Sequence, residues 1–375
     1  MTRAADQPAP GGFGRLPTAV TITDDTMREG LQIESADIPV EAKLRLLDAL
    51  GETGAKVISI GSFAHPKWTP QMACIDEIAQ RFVPKPGVVY TAAVFNKRGF
   101  DRADAYWPKL DVRRRQRRPG LHVEMSDAFA RRNYNRSQAQ QIAAMDATVA
   151  AARERGVTEG SVALGNPFGC NFEGPYTLAQ RLDLLALMIG KWESAGIPVT
   201  RLSFLEAMGW NLPHLVRETM IAIHDRWPGI TTWHMHLHNQ RGATLASYYE
   251  ALQLGATEFD TSIGGMGGCP YCGNGRAAGH VPTEDFVDLC HEMGVETGYD
   301  LDKLIAAAAI AEEVVGHPLW GHVSKAGPRP RGDRRYPIDM PFVETLEEAA
   351  HFRKGPGVYE GQLSPWREND ALLRG

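Results

Sequence analysis

Three histidines at alternate positions, His234, His236 and His238, are the side chains best spaced to act together. On a strand, residues i, i+2 and i+4 share one face, so all three imidazoles point the same way. Two imidazoles one residue pair apart can grip one divalent ion. The bland alternative, three hydrogen-bonded core histidines, has no packing benefit to offset burying polar rings. His236 and His238 are therefore expected as metal ligands, with His234 behind them as an orienting group. Arg28, Glu29 and Gln32 crowd another polar turn, where a carboxylate either completes a coordination sphere or serves a helix dipole. Ile263 to Gly275 is dense in glycine, which suits a lid whose backbone approaches a ligand closely. Its Cys269-x-x-Cys272 pair reads as half a zinc site, a redox couple or an acid–base thiol, and no second C-x-x-C follows.

These groups need a scaffold, and the chain alternates short β-branched runs with longer amphipathic stretches. Eight runs occur, Ala19 to Thr23, Lys56 to Ile60, Val88 to Val94, Leu121 to Met125, Ser161 to Gly165, Thr200 to Leu205, Thr232 to His238 and Thr257 to Ile263. Helices are expected over Val40 to Thr53, Ser137 to Arg155, Thr177 to Ala195, His214 to Arg226 and Ala243 to Leu254, with Gly54, Gly156, Gly196 and Gly255 as C-caps. Eight βα units in about 250 residues imply an α/β fold, a TIM (β/α)8 barrel with reactive groups at the carboxyl ends of its strands. A doubly wound sheet would want a glycine-rich turn after its first strand, where this chain has Asp24 to Gly30. Residues 1–16 then read as a disordered lead-in, 17–316 as the barrel, and 317–375 as a C-terminal extension, a lid or subunit contact. The basic run Arg113 to Arg118 precedes the fourth strand and reads as a solvated turn on the face opposite the site.

Composition narrows the partners. The 375 residues are 43% hydrophobic and carry a formal net charge of −5, so no positive field recruits nucleic acid or anionic lipid. The most apolar stretch, Leu304 to Ala311, is too short to cross about 30 Å of hydrocarbon. Five cysteines are odd in number and scattered, which points to a reducing cytoplasm. A small-molecule ligand and a homo-oligomer paired through outer helices are the expected partners.

Taken together, these segments resemble the 3-hydroxy-3-methylglutaryl-CoA lyase family of the DRE-TIM metallolyases. The resemblance rests on Arg28 to Gln32, Ser62 to Met72, the His236-Leu237-His238 pair, Gly267 to Tyr271 and the stretch from Thr283, and it spans roughly residues 19–316. It implies cleavage of a carbon–carbon bond in a 3-hydroxyacyl-CoA. Carried over by motif, Glu29, His236 and His238 would bind the metal, Arg28 would stabilise the enolate oxygen and Cys269 would shuttle a proton. Gln32, Ser62 and Asn239 would contact substrate.

Several positions depart from the family pattern. Its aspartate after the arginine is Glu29 here, its strand-two glutamate is Ser59, its strand-six aspartate is Glu206, and its aspartate after the second histidine is Asn239. Its metal-binding asparagine corresponds to His280 or, in a competing alignment, Asn274. With His280 the donor set becomes three imidazoles and a carboxylate, favouring zinc, manganese or another transition ion over magnesium. The runner-up is a condensing enzyme of the isopropylmalate or citramalate synthase type, joining acetyl-CoA to a 2-oxoacid. A metal- or redox-sensing module is the non-enzymatic alternative.

Overall fold

The computed structural model describes residues 12–67, 69–113, 118–273 and 279–330, with a few isolated positions beyond. All eight expected runs form strands: β1 (Thr21–Asp24), β2 (Val57–Ser62), β3 (Val89–Ala93), β4 (Gly120–Glu124), β5 (Gly160–Gly165), β6 (Val199–Glu206), β7 (Thr232–Leu237) and β8 (Glu258–Thr261). They join one parallel sheet in the order β3-β2-β1-β8-β7-β6-β5-β4. Every strand but β3 thus neighbours its sequence successor, and the last returns to the first through Thr21↔Glu258 to Asp24↔Thr261. That return excludes the doubly wound alternative, whose first and last strands lie apart. Among the described residues the β3–β4 seam has no strand ladder; the Asp111 N–H donates to the Tyr90 carbonyl at 2.8 Å instead.

Alternation along the strands explains the layers. On β7, Trp233, Met235 and Leu237 are buried against the surrounding shell, whereas His234 and His236 face the barrel interior. The shell is apolar and continuous, from Ile22 and Leu46 through Trp192 to Phe259 and Leu304. Helices start where the sequence signals them. Ser137 with Gln140 and Thr177 with Gln180 form reciprocal caps, each stabilising its helix by about 1 kcal/mol. The expected C-cap glycines 54, 156, 196 and 255 all have positive φ. One expected helix, Ser137 to Arg155, is two, Gln138–Ala143 and Met145–Glu154, parted at Ala144. Periodicity is blind to such a break because both halves keep an apolar face.

Within the stretch expected as lead-in, Phe13 stacks on His224 with ring centroids 3.9 Å apart; residues 1–11 lie outside the described residues. Of the basic run, Arg113 binds Asp104 at 2.5 and 2.8 Å and Arg118 reaches Glu159 at 3.2 Å, while residues 114–117 are not among those described. The C-terminal extension begins as a strap under the glycine loop: the Trp320 N–H donates to the Gly264 carbonyl at 2.9 Å, and Asp285 accepts from the His322 and Val323 N–H groups. Most of the extension beyond residue 330 is outside the described residues. No described helix is long and apolar enough to cross a membrane.

Glu284 holds the base of that loop, accepting from the Gly264 N–H at 3.0 and 3.2 Å. Burial raises its carboxyl to about 7. A carboxyl raised on folding stabilises below its unfolded value, and that contribution disappears as pH rises through about 7. The Glu284→Gln variant is therefore expected to lose less melting temperature between pH 5 and 8 than the parent, read by thermal denaturation across that range; equal slopes would contradict the assignment.

Candidate active site

The carboxyl end of β1 is built to turn two consecutive side chains inward. Thr26–Gly30 forms a wide π-helical turn, in which the Arg28, Glu29 and Gly30 N–H groups all donate to the Asp25 carbonyl, at 3.1, 2.8 and 3.1 Å. Such turns are frequent at functional sites. Asp24 accepts from the Thr26 N–H at 3.0 Å, and Thr26 Oγ1 accepts from the Ile263 N–H at 2.8 Å, tying the turn to the loop after β8. Glycine is obligatory where that loop crosses: a Cβ on Gly267 would lie 2.8 Å from the Glu29 carbonyl oxygen, and one on Gly279 2.4 Å from the Met266 oxygen. The close crossing delivers His280, the next residue, into the barrel mouth.

Four donors converge there. Glu29 Oε2 lies 2.9 Å from His238 Nε2 and 3.1 Å from His280 Nε2, and Glu29 Oε1 is 3.6 Å from His236 Nε2. The donor atoms of Glu29, His236, His238 and His280 all fall within 4.8 Å of one another. His280 is fully buried and His238 is 1% exposed. Although close, Glu29 Oε2, His238 Nε2 and His280 Nε2 make no hydrogen bond of acceptable geometry. Buried donors and acceptors rarely stay unpaired, and lone pairs aimed at a common point are what a cation requires. The residues present fit a divalent metal.

Electrostatics agree. Burial opposes charge on Glu29, but the Arg28 guanidinium and the His236 and His238 imidazoles outweigh it and hold the carboxyl well below the usual range. Burial pushes His238 down to about 4, so its ring is neutral and its lone pair free near pH 7. Burial pulls His236 down as well, yet Glu29 and Asp260 overcome it and raise the ring to about 9, so a cation bound there would have to displace its proton.

The remaining expected residues fall around this centre. His234 lies deeper, as expected, its Nε2 3.0 Å from Asp260 Oδ1 and its Nδ1 3.1 Å from Ser203 Oγ. Arg28 contacts Glu29 and lies 3.4 Å from Asp25. Glu206 reaches no imidazole through its side chain; it accepts from the Met208 and Gly209 N–H groups and from Asn211 Nδ2, which also donates to the His238 carbonyl. It thus supports His238 through the backbone. Asn239 Oδ1 accepts from the Thr244 N–H at 3.0 Å, Ser62 Oγ accepts from the Ala64 N–H at 3.1 Å, and Gln32 is half-buried nearby in sequence. Cys269 is half-buried in the glycine loop, packed beside Met208, Cys170 and Cys272. Asn274, the competing fourth ligand, lies outside the described residues.

Sequence reasoning missed Asp260. Its Oδ2 receives His236 Nδ1 at 2.8 Å, turning Nε2 toward the donor cluster. The signal was present: β8 alternates Glu258, Phe259 and Asp260, with Phe259 fully buried in the shell, so both acids face inward.

Comparison with known proteins follows from this geometry. The HMGL-like family model matches residues 19–311. The (R)-citramalyl-CoA lyase of Chloroflexus aurantiacus is 34% identical over 320 residues, 83% of this chain and 95% of that protein. The crystal structure of the Bacillus subtilis HMG-CoA lyase superposes with a TM-score of 0.68 at 31% identity, covering 83% of this chain and 98% of that one. An Acinetobacter baumannii HMG-CoA lyase in complex with coenzyme A and 3-methylmalate gives a TM-score of 0.68 at 27% identity, covering 86% and 98%.

If the four donors act together, His280→Ala weakens the binding of Zn²⁺ or Mn²⁺ by about 100-fold, and Gly279→Ala does the same by displacing the loop. Metal titration of chelator-treated protein, followed by elemental analysis, measures both. Unchanged affinity in His280→Ala would remove that ring from the ligand set.

Proposed function

Because the chain belongs to the HMGL-like family, we propose that it cleaves a carbon–carbon bond in a branched 3-hydroxyacyl-CoA, releasing acetyl-CoA and a ketoacid. The observation that carries this reading is the convergence of Glu29, His236, His238 and His280 on one point beside Arg28. The named relatives cleave citramalyl-CoA and hydroxymethylglutaryl-CoA, whose acyl groups share a tertiary hydroxyl β to the thioester. A condensing enzyme draws no support from relatives named as lyases, and neither does a sensor.

Glu29 and the three imidazoles would hold a divalent ion, which supplies a Lewis acid that lowers the pKa of a coordinated hydroxyl. Three nitrogens and one carboxylate favour zinc or manganese over magnesium. The hydroxyl gives up its proton to solvent as the bond breaks, its carbon becomes a ketone, and the electron pair moves to the carbon next to the thioester. Arg28, kept cationic against burial by Glu29, Asp25 and Asp260, places fixed positive charge beside the enolate oxygen. Cys269, on the loop over the site, returns a proton to that carbon. Gln32, Ser62 and Asn239 would contact the acyl group. The free thiols fit a reducing cytoplasm.

Incubation with citramalyl-CoA and hydroxymethylglutaryl-CoA is expected to release acetyl-CoA without added 2-oxoacid. Cys269→Ser lowers kcat by about 100-fold or more while metal content holds, whereas His236→Ala and His238→Ala lose both. Coenzyme A release only from acetyl-CoA plus a 2-oxoacid would instead establish synthesis.

A further inference from the structure

The wall of the barrel mouth facing the metal-ligating cluster carries a tyrosine that the reading so far leaves unused. In an eight-stranded barrel β4 stands across from β8. The β4 residues Leu121 and Val123 are buried in the shell, so His122 and Glu124 face inward. Tyr134 is the last residue of the helix Asp127–Tyr134, which starts just beyond β4 and stops at Asn135, a left-handed residue with φ of 52°. Its ring lies 5.2 Å from the His122 ring at 53°. Contact with an inward-facing residue places the phenol in the lumen. Glu124, Arg28, Cys269 and Glu29, members of both walls, are the titratable groups near enough to act on its hydroxyl. Tyr134 makes no hydrogen bond among the described residues; beside it Asn166 Nδ2 donates to Glu124 at 2.9 Å, while His122 Nε2, 3.4 Å from the same carboxylate, is itself without a hydrogen bond.

We propose that the Tyr134 hydroxyl donates a hydrogen bond to the thioester oxygen of the substrate, sharing with Arg28 the negative charge that develops there. Burial and the Glu124 carboxylate push the phenol above its ordinary range, so it stays protonated and acts as a donor throughout. No bond is made or broken at Tyr134. This inference rests on the lyase reading, since only a reaction through an enolate loads that oxygen with charge.

Tyr134→Phe removes the hydroxyl and keeps the ring on His122. Loss of one such donor lowers kcat by about 100-fold, with little change in KM. Exchange of the acetyl-CoA methyl protons with deuterated solvent, which needs the enolate but no cleavage, falls in parallel, and metal content and melting temperature hold. A purely structural role would move the last two and spare the ratio of exchange to bound metal. A kcat within about twofold of the parent, or a fall tracking metal loss, overturns the proposal while leaving the lyase reading intact. No cleavage of either thioester by the parent protein would overturn both.

Discussion

Everything in the barrel interior is arranged around one carboxylate, Glu29, held ionised where water is excluded. An isolated buried charge costs far more than a fold can supply, so the protein surrounds Glu29 with Arg28 on its own turn and imidazoles from β7 and the loop after β8. Removing one partner from such a buried pair typically costs about 3–5 kcal/mol. The like imidazoles approach closely, with ring centroids 4.5 to 5.3 Å apart, around the one carboxylate they share.

A polar column beneath the site continues the same logic. Glu258 binds Arg201, Arg201 donates to Ser203, Ser203 meets His234, and Asp260 bridges His234 to His236. Most barrels of this fold fill that space with branched aliphatic side chains. Here hydrogen bonds set the orientation of His236 from below, as second-layer partners do at metal centres generally. The filling of the barrel thus orients His236, while the turn after β1 and the glycine loop place Glu29 and His280.

The fold was legible because parallel strands buried on both sides announce themselves as apolar runs, and the helix C-cap glycines mark where each unit ends. The histidine pair was legible for the same reason, since a period of two fixes direction on a strand. His280 was legible only as one of two alignments, because its place depends on how the glycine loop crosses the π-helical turn, a tertiary close approach with no local signature. Asp260 and Tyr134 escaped for different causes. The acid is an ordinary strand residue until β7 is laid beside it, and the phenol enters the lumen through a contact between elements twelve residues apart, 122 and 134. Glu206, expected behind the ligands, accepts from the Met208–Asn211 turn and touches His238 only by way of Asn211, a relay that residue type alone does not announce.

The β8–β1 ladder has a kinetic corollary. Glu29 lies near the start of the sequence and its partner His280 some 250 positions later, so this carboxylate–imidazole cluster is among the least local structures in the molecule. Long-range parallel pairing is slow to form, and a ribosome-bound chain can lay down most of its βα units while Glu29 still faces an open edge. The cluster of Glu29 with the imidazoles thus assembles late, when the eighth strand docks on the first.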